Sequence, residues 1–140
     1  MVVNYSDTLK GRSPFVKLLG LQVIKFDNGY CQCNLEIKDN FLNIHKAVHG
    51  GVIYSLGDIG MGAALYSTLK KDEEASTIEI KINYLKPAYS KILVCNAKVI
   101  QKGKSIAVLE AEIQADDILV AKALGTYSIF KAKDDQNMPL

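Results

Sequence analysis

The chain carries little excess charge: 17 Lys and Arg against 15 Asp and Glu leave a formal net charge of +2. That is too small to argue for nucleic acid as a partner. No apolar stretch is long and charge-free enough to span a bilayer, because the richest one holds Asp58 and several glycines. Cysteine is scarce as well. There are 3, an odd number, with no apolar signal segment before them, so a reducing compartment and a cytoplasmic protein are expected. Cys31 and Cys33 share one face of a strand-like run, and no second nearby pair joins them, so they read as core thiols rather than a zinc site. Internal repeats and low-complexity segments are absent.

Several catalytic signatures are missing too. Ser55 lacks the flanking glycines of a nucleophile elbow. Gly50-Gly51 stands alone, outside any GxGxxG or GxxxxGK[ST] loop. His45 and His49 have the four-residue spacing of a helical zinc site, but Lys46 occupies the position where that motif needs glutamate. The glycines after His49 also start the helix there, so the two histidines share no regular helical face. No metal is expected.

What is present reads as one globular domain. Its 140 residues are 49% hydrophobic and 23% charged, enough for a single core. Residues 7–19 suggest a short leading helix, with Asp7 as a cap and Pro14 dividing it. Strands follow at 21–26 and 30–37 around Asp27-Asn28-Gly29, a hairpin signal. Cys31, Cys33, Leu35 and Ile37 alternate with polar residues, so one sheet face is buried. After a loop at 39–49, residues 50 to about 70 form a helix that is apolar around most of its circumference. Lys70 and Lys71 suit its negative end. Strands at 77–86, 91–102, 105–115 and 118–131 complete an α+β domain, a sheet curled round a helix; 134–140 reads as a frayed tail. In the first of these strands Ile78, Ile80, Ile82 and Tyr84 alternate with Thr77, Glu79, Lys81 and Asn83.

The chemistry concentrates in Asn43-Ile44-His45-Lys46-Ala47-Val48-His49-Gly50-Gly51 and in Asp58 beyond it. A helix start offers unpaired N–H groups and partial positive charge, suited to a developing oxyanion. A carboxylate among apolar neighbours is costly unless used or paired. Together they point to hydrolysis of an activated acyl group. Yet eight residues of helix separate Gly50 from Asp58 by roughly 12 Å, too far for one site. Two antiparallel helices from two subunits remove the conflict, each Asp58 facing the other chain's Gly50 in a C2 dimer. Gly57, Gly60 and Gly62 fit such a close helix approach. Lys86, Lys91, Lys98, Lys102 and Lys104 are either a solvated strand face or a docking surface for a phosphate-bearing ligand.

The segment Asn43…His49-Gly50-Gly51…Asp58 resembles the signature of the hotdog-fold acyl-CoA thioesterases of the phenylacetate-degradation, PaaI-like branch. Pro14-Phe15…Leu19-Gly20, Tyr84-Leu85-Lys86-Pro87-Ala88 and Gly103-Lys104 extend the likeness over most of the chain. The resemblance implies a hotdog fold, a curved antiparallel sheet wrapped around a central helix. It implies a homodimer and a tetramer of paired dimers, with coenzyme A entering only as part of the substrate and no cofactor.

By the same resemblance the Gly50 N–H bonds the thioester oxygen, and Asp58 of the partner subunit is nucleophile or general base. Asn43 positions substrate or water, Thr77 holds that water or orients the aspartate, and His49 supports the loop or the carbonyl. Gly51, Tyr54, Lys86, Pro87, Lys102, Gly103 and Lys104 fall where substrate and coenzyme A dock. Tyr54, Ile59 and Met61 are candidates for the acyl pocket or for the core. Lys46 departs from the family, in which many relatives have glycine, and this bears on the loop's shape. Two rival readings share the fold: a non-catalytic acyl-CoA or acyl-carrier binding module, and a dehydratase or hydratase pairing His49 with a carboxylate.

Overall fold

The structure, a computed structural model, describes residues 13–132 together with Tyr5, Thr8 and Gly11. The expected cap Asp7 and the tail at 134–140 lie outside the described residues. The leading helix is α1, Pro14–Leu19. Pro14 stands in the first turn of α1, where a missing N–H costs nothing, and most of residues 7–12 lie outside the described residues.

Strands β1 (Gln22–Asp27) and β2 (Tyr30–Glu36) form the expected hairpin. Asp27 pairs with Tyr30 across Asn28 and Gly29, both at positive φ (48° and 78°), as a two-residue turn of this twist requires. Helix α2 runs Gly50–Tyr66. Then come β3 (Glu73–Tyr84), β4 (Ile92–Lys102), β5 (Ile106–Ala115) and β6 (Ile118–Lys131). The six strands make one antiparallel, curved sheet in the order β1-β2-β4-β5-β6-β3, with α2 against its inner face.

Two boundaries differ from those expected. Helix α2 ends at Tyr66 rather than near 70, because Ser67 Oγ and Thr68 Oγ1 donate to the carbonyls of Ala64 and Leu65, closing the last turn. Lys70 and Lys71 therefore lie beyond it, and Lys102 Nζ meets the exit instead, donating to Thr68 O at 2.8 Å. Strand β3 begins at Glu73, not 77. The long β6 pairs back along it from Ala121 opposite Tyr84 to Lys131 opposite Glu73, and Lys131 also bridges to Asp72.

Gly57 and Gly60 have a different use from the one expected. A Cβ on Gly60 would lie 2.8 Å from Cys95 Sγ and 3.4 Å from Cys33 Sγ; one on Gly57 would touch Ile113. These glycines therefore bring α2 down onto the sheet, over free, fully buried Cys31, Cys33 and Cys95. Its hydrogen bond with the Cys33 thiol, and then burial, hold the Cys31 thiol far above its ordinary range, so it packs as an inert apolar group.

Candidate functional site

The loop before α2 is built by Asn43. Its Oδ1 accepts from the N–H of His45 (2.8 Å) and Ala47 (3.2 Å), while its own N–H bonds Ala47 O. This ring holds Lys46 at φ 61°, a left-handed conformation that suits glycine. The loop thus keeps a glycine-like shape despite the lysine. Val48 N–H bonds Ala88 O, tying the loop to the segment after β3, and His49 N–H bonds Phe41 O, closing the loop on its own start.

His49 is the N-cap of α2. Its Nδ1 accepts from Gly51 N–H at 2.8 Å, and its carbonyl takes the N–H groups of Val52 and Ile53. The Gly50 N–H alone in this first turn has no partner among the described residues. Tyr84 Oη donates to Gly50 O at 2.8 Å, and its ring lies so close that a Cβ on Gly50 would sit 3.3 Å from Cζ. Asn43, Gly50, Tyr84, Lys86 and Pro87 line one cavity of about 290 Å³.

Asp58 is half-buried on the same helix and opens into a second cavity, of about 230 Å³. Tyr5, Phe15, Val16, Ile59 and Ala75 provide its apolar walls. Two hydroxyls converge on Oδ1: Thr77 Oγ1 donates at 2.9 Å and Tyr127 Oη at 2.8 Å. Thr77 and Tyr127 face each other across β3 and β6. A bulge at Ile78, between Thr77 and Glu79, shifts the strand by one residue. Without it, strict alternation would set Thr77 on the opposite face from Ile80 and Ile82; with it, all three face the helix. Burial, and then the adjacent Asp58 charge, push the Tyr127 phenol far above the ordinary tyrosine range, which keeps it a proton donor.

The remaining candidates are dispersed. Tyr54 is half-exposed on α2 outside both cavities, and Met61 is fully buried in the core against Gly125. Gly103 and Lys104 lie in the β4–β5 turn, at the opposite end of the sheet from Tyr84. Lys102, beside them, is held by Thr68 O. His45 is exposed, and among the described residues no group of three His, Cys, Asp or Glu is placed to hold a metal ion. No helix among them is long and apolar enough to cross a membrane.

Tyr127 is the site residue that sequence reasoning missed. A signal existed: Ala121, Ala123, Gly125, Tyr127 and Ile129 all point inward along β6, and Tyr127 carries the one polar side chain of the set. Only the register with β3 shows what that hydroxyl meets.

The thioesterase superfamily profile matches residues 45–122, from the loop before α2 into the start of β6. The chain is 33% identical over 128 residues to the Saccharolobus solfataricus protein SSO2140, covering 91% of each. It is 28% identical over 118 residues to acyl-coenzyme A thioesterase PaaI of Escherichia coli, covering 84% of this chain and 78% of that one. Among solved structures, protein PA5202 of Pseudomonas aeruginosa superposes with a TM-score of 0.84 at 31% identity, over 89% of this chain and 99% of that one. The E. coli PaaI structure does so at 0.81 and 26%, over 88% of both. The chain is a hotdog-fold enzyme and belongs to the thioesterase superfamily.

Proposed function

We propose that the protein hydrolyses acyl-CoA thioesters at two composite sites in a C2 dimer, each joining Gly50 of one chain to Asp58 of the other. The observation that carries this reading is the separation of the two halves. A helix-start N–H with no partner among the described residues and a hydroxyl-bound carboxylate open on different cavities, about 12 Å apart along one helix. Two helices running antiparallel bring each half to its complement. The edge strand β3 supports a second copy: it ends the order of the six described strands, and Ile78 on it is 54% exposed.

In this arrangement the thioester carbonyl lies at Gly50 N–H, which stabilises the oxyanion as the carbon becomes tetrahedral. Asp58 takes a proton from water as hydroxide adds, or attacks directly to form an anhydride that water then cleaves. Collapse expels the coenzyme A thiolate, and the acid remains. Lys86 beside the Gly50 cavity, and the partner's Lys104 turn brought over by the antiparallel packing, offer cations to the coenzyme A phosphates. Asn43, whose Oδ1 is committed to the loop, presents its Nδ2 to substrate or water. His49 sets the helix start rather than reacting.

A thiol-release assay over short, long and aryl acyl-CoAs tests the reading, with Asp58→Asn and Asp58→Ala as controls. The wild type is expected to release coenzyme A from at least one class, and the variants to lose about 100-fold or more. Equal, slow release by all three proteins across the panel would refute it.

A further inference from the structure

We infer that Tyr127 is a positioning residue for the reacting carboxylate: with Thr77 it engages Asp58 Oδ1 and leaves Oδ2 as the oxygen offered to water or substrate. The inference rests on the proposed role of Asp58 and extends it to a residue on another strand. Both donors meet the same atom, at 2.8 and 2.9 Å, while Oδ2 has no partner among the described residues.

A phenol that needed only to be satisfied has an alternative. Tyr127 Oη also meets Asp58 O, at 3.1 Å, but the carboxylate Oδ1 is the nearer acceptor at 2.8 Å. The ring is also held tightly. A Cβ at Gly125 would sit 2.9 Å from Tyr127 Cε2 and 3.1 Å from Met61, so this glycine clears the space in which the ring lies. Gly62 leaves room on the helix side, where a Cβ would reach Cε1 at 4.0 Å. The ring is 2% exposed, and the β3 bulge turns Thr77 to the same face. Two fixed donors remove the carboxylate's rotational freedom, which a reaction at one oxygen requires. Donation from hydroxyls to an ionised acceptor also makes these stronger bonds than neutral pairs.

Tyr127→Phe removes the hydroxyl and keeps the ring. Its kcat is expected to fall about 10- to 100-fold with KM nearly unchanged, because Gly50 and the coenzyme A contacts are intact. In an Asp58→Asn background the same change is expected to add no further loss, since there is no reacting carboxylate left to position. Wild-type kcat in Tyr127→Phe, a raised KM at constant kcat, or losses that simply multiply in the double variant would each overturn the inference. Gly125→Ala, which keeps the phenol but displaces its ring, provides an independent variant with the same expected split if Tyr127→Phe folds poorly. The two readings fail separately. Full turnover by Asp58→Asn would remove the aspartate's role altogether, whereas an inactive Asp58→Asn beside a fully active Tyr127→Phe would remove only the positioning.

Discussion

Gly50 and Asp58 belong to one helix and to two different cavities: the first opens beside Asn43, Tyr84 and Lys86, the second beneath Thr77 and Tyr127. In the proposed reading a monomer therefore holds both chemical groups of the site without holding a complete one.

The proposed oxyanion donor, Gly50 N–H, can be deleted with little damage to the helix. Gly50 is the first helical residue, a position that favours proline, and His49 before it has ψ 136°, which a following proline accepts. Gly50→Pro is expected to lower kcat about 100-fold or more, the usual loss for one oxyanion donor. Far-UV circular dichroism should stay that of the wild type, with the Tyr84 ring yielding a few tenths of an ångström.

The seating of α2 on the sheet depends on Gly60. Gly60→Ala drives a methyl into Cys95 Sγ and should cost about 1–3 kcal/mol in urea unfolding. Adding Cys95→Ala removes the opposing sulfur, so the double variant should be more stable than the sum of the two losses predicts.

Much of this was readable beforehand, and the exceptions have physical causes. The Asn28-Gly29 hairpin, the succession of strands along the chain and the His49-Gly50 helix start all follow from local rules of patterning, turn chemistry and capping. The function of Gly57 and Gly60 did not, because small residues signal close approach without naming what approaches. Thr77 was selected by resemblance, although strict alternation sets it on the face opposite Ile80 and Ile82; the bulge at Ile78 has no clear composition signature. Tyr127 depends on a register between strands fifty residues apart, information that no local window contains.

Lys46 offers a test of the loop. Its φ of 61° strains any side chain with a Cβ, so Lys46→Gly should stabilise the protein by about 1 kcal/mol in thermal or urea unfolding. Asn43→Ala, which removes the acceptor that bonds His45 and Ala47 N–H, should lose stability by a similar amount.

Alkaline stability should report on Tyr127. In the folded protein its phenol is held above the ordinary value of 10.0, first by burial and then by the Asp58 charge. The unfolded chain therefore releases this proton at lower pH than the folded one, so the stabilisation is complete below about pH 10 and falls as pH rises beyond it. In Tm measurements across that range, Tyr127→Phe should decline less steeply than the wild type. Parallel curves would show that the phenol ionises alike in both states.

The composite site is tested most directly by complementation between two inactive chains. Asp58→Asn and Gly50→Pro are each expected to be nearly inactive as homodimers. Mixed under conditions that exchange subunits, they form heterodimers in which one site pairs an intact Gly50 with an intact Asp58, while the other site carries both defects. Statistical mixing should restore about a quarter of wild-type activity. A mixture that contains heterodimers by native mass spectrometry yet stays as inactive as its parents would contradict a site shared between subunits.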